Sequence, residues 1–336
     1  MNKVLNKFNR NVVGLSVLPL SIMAMPVQAA DAVDLEVGGF IRADAGFGDR
    51  YDDELGDDRF AISRAALSVT ASYENVKGVF VIGTEPDSAG SDGDVDIKDA
   101  YIVLNCSCDF SVSLGQQPLL FGLKPNGYPG DRSLNPSVEY LVGPLSNGGG
   151  VSGQAALSAI GDYRFNDVVN VRFGAFDQTI ETDDDIEGSS ISDNLFVQLT
   201  LNDRKGSGLY GNIGYETSYA DEDESFTTIT LGAGYSNDLV DASVEVFNID
   251  AGLNGFDDVT IIVAELTVEV DESNSVYIDY SNADDDDFEI DTYRLGLNHS
   301  MNKYTTLSAE LSRDELDIGF ADAEVDSIDF RVTFSY

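Results

Sequence analysis

A single histidine, His299, stands alone in a short polar stretch of this 336-residue chain. Ser–His and Cys–His nucleophilic catalysis therefore have no constellation to draw on. G-x-S-x-G, H-E-x-x-H and glycine-rich phosphate loops are missing as well, so the sequence supports no enzyme and calls for no cofactor. The two cysteines, Cys106 and Cys108, lie two residues apart, and with one histidine they supply too few ligands for zinc. Two readings of the pair stay open: a small strained disulfide across a turn in an oxidising compartment, or two unpaired thiols. Cations are scarce too, 19 Lys and Arg against 60 Asp and Glu, for a net charge of −41. Phosphate backbones are bound by clustered cations, so this balance argues against a nucleic-acid partner.

The first residues read as a targeting segment. Lys3, Lys7 and Arg10 precede an apolar run over 12–25 interrupted by Pro19, and Val27-Gln28-Ala29 offers a small-residue cleavage site. The run is too short for a spanning helix, which takes about 20 residues. Residues 1–29 are thus expected to be a secretory signal peptide, leaving 30–336 as one domain. Removing them leaves 16 of the 19 cations against all 60 acids and moves the net charge from −41 to −44. No later stretch of 18 apolar residues exists, so no membrane-spanning helix is expected.

What fills the chain instead is alternation. Leu35, Val37, Ile41, Ala43, Ala45 and Phe47 share one parity, while Glu36, Arg42 and Asp44 share the other. A period of two with one apolar side marks a strand with one face buried or in lipid. Comparable runs fall at 59–73, 79–85, 95–106, 110–117, 151–158, 167–176, 193–202, 207–217, 226–236, 239–249, 257–270, 275–282, 288–298, 304–313 and 325–336, sixteen in all. Short turns alternate with longer acidic loops, as an even-stranded outer-membrane barrel requires. The last strand, with Ile328, Phe330, Val332, Phe334 and Tyr336 on one parity, ends on an aromatic. The expected fold is an all-β transmembrane antiparallel barrel of sixteen strands. A soluble β-sandwich fits short strands with turn signals as well, but needs an apolar interior on both sheets.

One connection stands apart. Residues 118–150 hold five of the eight prolines and form the third long-side loop. A structureless segment of that length is usually functional, and it is expected to fold into the lumen and narrow it. Lys124, Asp131, Arg132 and Glu139 are its candidates for lining the constriction. If the apolar parity meets lipid, then Arg42, Arg64, Arg172, Arg294 and Arg331 point inward, beside carboxylates such as Asp44, Asp291 and Asp329. Such charges either set ion preference or pair to hold the wall together. The acidic runs around Asp184, Asp223 and Asp285 are read as solvated surface, with surface calcium or magnesium bridging to lipopolysaccharide as the other reading.

Asp96-Ile97-Lys98-Asp99-Ala100-Tyr101, Val112-Ser113-Leu114-Gly115-Gln116-Gln117-Pro118 and Phe121-Gly122-Leu123 together resemble the phosphate-selective porin O and P family. The resemblance covers about thirty residues. It implies a sixteen-stranded, trimeric, passive channel of the Gram-negative outer membrane, and it makes Arg42, Arg59, Arg64 and Lys98 remnants of a cationic lining. The acid excess departs from such a lining and fits a general or cation-preferring porin for ions and small hydrophilic solutes. The alternative is a plugged outer-membrane barrel acting as a structural protein or adhesin.

Overall fold

Each alternating run becomes a strand, and the strands close on themselves. The computed structural model describes residues 33–48, 59–84, 95–106, 109–118, 121–123, 155–177, 194–202, 208–221, 224–250, 258–285, 288–317 and 322–336. The strands are β1 (Asp34–Gly48), β2 (Arg59–Tyr73), β3 (Val76–Thr84), β4 (Val95–Asn105), β5 (Phe110–Pro118), β6 (Ala155–Arg164), β7 (Val169–Asp177) and β8 (Asn194–Leu201). They continue as β9 (Gly208–Asp221), β10 (Glu224–Ser236), β11 (Val240–Asp250), β12 (Val259–Asp271), β13 (Asn274–Asp285), β14 (Phe288–Asn302), β15 (Thr305–Asp317) and β16 (Asp322–Ser335). Every strand pairs antiparallel with its sequence neighbours, and β1 pairs with β16, giving a closed sixteen-stranded barrel.

The two parities separate as the sequence requires. Ile41, Phe47, Leu195, Val197, Ile213, Leu231, Val244, Leu295, Leu297, Phe330 and Val332 are exposed, while Arg42, Gln198, Asn212, Glu245, Asp279, Arg294 and Asp329 are buried. In a closed barrel the exposed side is the outer one, so its outside is apolar and much of its inside polar. That is the arrangement of a barrel in lipid, inverted relative to a soluble core. The sandwich reading is thereby excluded.

Short turns are set by side-chain caps. Asn166 Oδ1 accepts from the N–H groups of Val168 and Val169 at 2.8 Å each, and Asn237 does the same for Leu239 and Val240. Asp271 caps Ser273 and Asn274, and Asn302 caps Tyr304. These Asx turns explain one correction. The strand expected at 151–158 runs instead over Ala155–Arg164, because the Asn166 cap places the β6–β7 turn at 165–168. Three long-side loops also shrink: β9–β10 and β13–β14 are each joined by two residues, and β15–β16 by four.

The chain end is zipped to its beginning. Tyr336 N–H donates to Gly39 O at 3.0 Å and Gly39 N–H to Tyr336 O at 3.1 Å, beneath an aromatic row of Tyr304, Phe334 and Tyr336.

Leu297 lies on the outer face of β14, midway along the apolar band. Leu297→Arg is expected to cost ~2–4 kcal/mol of folding stability, measured by urea titration of the barrel in lipid vesicles. Substitution to Ile should leave it nearly unchanged.

Candidate functional site: the barrel interior

One interior wall, on β13 to β16 and β1, is a ladder of paired charges. Arg294 Nη1 lies 2.9 Å from Asp279 Oδ1, with both side chains buried, and the two residues are register partners. Tyr277 O–H donates to Glu310 at 2.5 Å, Ser312 and Ser327 share a hydrogen bond at 2.6 Å, and Ser327 donates to Asp329 at 2.8 Å. Arg331 Nε donates to Asp44 Oδ1 at 2.8 Å across the closing seam. Arg42 is buried on the same wall, its guanidinium 6.0 Å from the Phe40 ring centre. The inward arginines of β1, β14 and β16 therefore share one wall, as the strand order demands. Arg172 stands apart on β7, paired with Asp162 at 3.3 Å. Each pairing satisfies a charge that would be expensive to leave alone inside.

Asp291 departs from expectation. It faces outward near the end of β14, where it accepts from Tyr280 O–H at 2.7 Å, beside the exposed Tyr293. Thr292 and Arg294 hold the inward parity of that strand.

The opposite wall, on β8 to β11, receives the chain as it leaves β5. Gly122 N–H donates to Gln198 Oε1 at 2.9 Å, and Gln198 Nε2 returns a bond to Gly122 O at 3.2 Å. Leu123 N–H donates to Glu245 Oε1 at 2.7 Å, an oxygen that also accepts from Asn212 at 2.9 Å and Thr230 at 2.8 Å. Two glycines of the wall make room. A Cβ on Gly214 would sit 2.6 Å from the Phe121 ring, and one on Gly232 would sit 2.5 Å from Leu123 Cδ1. Gly122 itself holds φ +94°, which a side chain would strain. Phe121 is buried with Ile160, Phe176 and Phe196. Phe121-Gly122-Leu123 is thus docked on the inward faces of β8, β9, β10 and β11.

The inner surface is not uniformly polar. Phe247, Ile249, Val259, Ile261, Val263 and Ala283 form a buried apolar cluster on the inward parity of β11 to β13. The run Ile261-Ile262-Val263 is apolar on both faces, which strict alternation missed.

Several predicted site residues lie beyond what is described. Lys124, Asp131, Arg132, Glu139, Asp184, Asp223 and Cys108 are outside the described residues. Arg59 and Arg64 fall on β2 and Asp285 on β13, with side chains outside them as well. Lys98 lies on β4, and Cys106 is an exposed free thiol whose Sγ lies 3.7 Å from Leu104 O. Among the described residues no group of three or more His, Cys, Asp or Glu is arranged to hold a metal ion. Sequence reasoning missed Glu245, Gln198, Asp279, Glu310 and Tyr277. Their signal was a polar or charged residue in mid-strand on the inward parity, as in Ser243-Val244-Glu245-Val246.

This architecture is the sixteen-stranded fold of outer-membrane porins. An anion-selective porin from Comamonas acidovorans matches with a TM-score of 0.69 at 16% identity, over 90% of this chain and 100% of that one. The outer-membrane channel DcaP of Acinetobacter baumannii matches at 0.65 and 14% identity, over 92% and 99%. The trimer form of OmpT from Vibrio cholerae matches at 0.62 and 14%, over 91% and 100%. No family model and no curated protein matches the chain, so the likeness to phosphate-selective porins rests on its motifs alone.

Asp279→Asn removes a carboxylate that the buried Arg294 guanidinium bonds at 2.9 Å. A loss of about 3 kcal/mol is expected, read as a lowered urea midpoint of the refolded barrel. The double change Asp279→Leu with Arg294→Met should restore much of it.

Proposed function

We infer that this chain is an outer-membrane porin of a Gram-negative bacterium. Ions and small hydrophilic solutes cross by passive diffusion, and the bore is general or cation-preferring. The observation that carries this is the docking of Phe121–Leu123 on the inner wall. A chain leaving β5 at Pro118 and bonded to Gln198 and Glu245 through Gly122 and Leu123 has turned inward, which supports reading 118–150 as the constriction loop. Cation preference follows from charge: acids exceed cations about threefold, and of the described inward arginines, Arg172, Arg294 and Arg331 are each paired with a carboxylate. The anion or phosphate preference that the motif resemblance implies meets no row of unneutralised cations on the described walls. Assembly as a homotrimer in lipid and lipopolysaccharide goes with this reading, residues 1–29 serving as the export signal.

A plugged barrel serving as a structural protein or adhesin is the second reading. It is favoured by the dryness of parts of the inner wall, where Ile261 is 0% and Glu310 1% exposed. Planar-bilayer recording separates the two, since a plugged barrel conducts nothing. The porin reading expects discrete conductance steps and, in a KCl gradient, a reversal potential on the cation side. An anion-side potential overturns the charge argument.

Glu245→Ala removes the shared acceptor of Leu123, Asn212 and Thr230. It is expected to raise or destabilise the single-channel conductance level while the barrel keeps its heat-modifiable gel migration. Unchanged steady conductance would count against 118–150 as the constriction.

A further inference from the structure

The motif residues 96–118 meet at one irregularity in the wall, and it decides which way a carboxylate points. Ile97 and Ile102 are 50% and 51% exposed, both on the outer face, although they are five positions apart. A regular strand would put them on opposite faces. The register shows how: Ile82 pairs with Ile97 and Val81 with Asp99, so Lys98 is an extra residue, a β-bulge. Past the bulge the parity is switched. Ala100, Ile102 and Leu104 take the outer side, and Asp99 and Tyr101 the inner.

Gln116 holds the bulge in place. Paired with Ala100 and sharing the face of Leu114, it donates through Nε2 to Ile97 O at 3.0 Å and Lys98 O at 3.2 Å. A bulge leaves such carbonyls without ladder partners, and one amide satisfies both. Gly115, paired with Tyr101, lets β5 come close enough. Its φ is +130°, and a Cβ there would run into Ala100 O.

The result is a carboxylate inside the barrel whose Oδ1 has no hydrogen-bond partner, on a residue only 7% exposed. Gln117 and Ser158 share its inward side, but their bonds go to backbone carbonyls, Ser158 O at 3.4 Å and Gly115 O at 3.4 Å. An acceptor left open in a low-dielectric wall attracts a cation strongly, because few other partners compete for it.

We propose that Asp99 is a specificity-determining residue of the bore, drawing permeating alkali or ammonium cations, and that Gln116 is the positioning residue that turns it inward by locking the bulge at Lys98. This rests on the porin reading above and names the residue through which its charge preference acts.

The test compares the wild-type chain, Asp99→Asn, Gln116→Met and the double variant in planar bilayers with a KCl gradient. Heat-modifiable migration is checked for each. Asp99→Asn, which keeps the side chain's size, is expected to move the reversal potential toward the anion side. Gln116→Met removes no charge, yet is expected to shift it the same way, and the double variant no further than Asp99→Asn alone. An Asp99→Asn potential identical to wild type overturns the proposal. Fully additive shifts, or a Gln116→Met chain that forms no barrel, overturn the part given to Gln116. A wild-type chain that prefers anions but still shifts on Asp99→Asn upholds the place of Asp99 and removes the cation-preference reading. A chain that conducts nothing removes both.

Discussion

Closure of β16 onto β1 is the constraint from which the other features follow. Lipid offers backbone groups no hydrogen-bond partners, so an open sheet edge inside it would leave a column of unmade bonds. Here the last described strand meets the first through nine register pairs, from Phe40–Ser335 to Gly48–Ser327, and Tyr336 adds two bonds with Gly39. The seam is strengthened from within by the Arg331–Asp44 bridge, which spans it at the same height. A pair at the seam cannot form until the whole chain is in place, so it rewards completion of the ring rather than any single hairpin.

Once the ring is closed, its inner surface divides by chemistry. The β13–β1 side carries charges and hydroxyls matched strand to strand: Asp279 with Arg294, Tyr277 with Glu310, Ser312 with Ser327, Arg331 with Asp44. The β8–β12 side carries glycine notches, the Gln198 and Glu245 anchors and an apolar cluster. The second side is shaped to receive more of the same chain, and Phe121–Leu123 is the part seated there.

How far this was legible in the sequence depended on periodicity. Alternation located sixteen strands, because the outer parity had to be apolar on every one. It also put Arg42, Arg294 and Arg331 on one side, since strand order follows chain order in such a barrel. It failed where the local signal was not a period. The Asn166 cap moved β6 by several residues. The bulge at Lys98 is an extra residue that no period signals, and Asp291, read as inward, faces outward beside Tyr280. Docking of Phe121 into the Gly214 notch was invisible, because glycine in a strand signals a close approach without saying what approaches.

The register also explains why so acidic a chain can sit in a membrane. On the outer face of β13 to β16, Tyr280, Tyr293, Arg313 and Asp326 stand in one row across the strands. The next row holds Asn282, Asp291, Glu315 and Glu324, and the one beyond it Asp284, Glu289 and Asp317. Below Tyr293 the same columns turn apolar, through Leu295, Leu297, Leu311 and Phe330, to the aromatic row at Phe334. From Thr305, opposite Phe334, to Arg313, opposite Tyr293, is eight steps along β15. At ~3.3 Å per residue and a tilt of ~40°, that is about 20 Å of height, close to the ~25 Å apolar band of such barrels. The rows of acid begin where the hydrocarbon ends. Placed there, carboxylates cost nothing in desolvation and keep the extended strands paired in water, so the charge excess and the membrane span occupy the same strands without conflict.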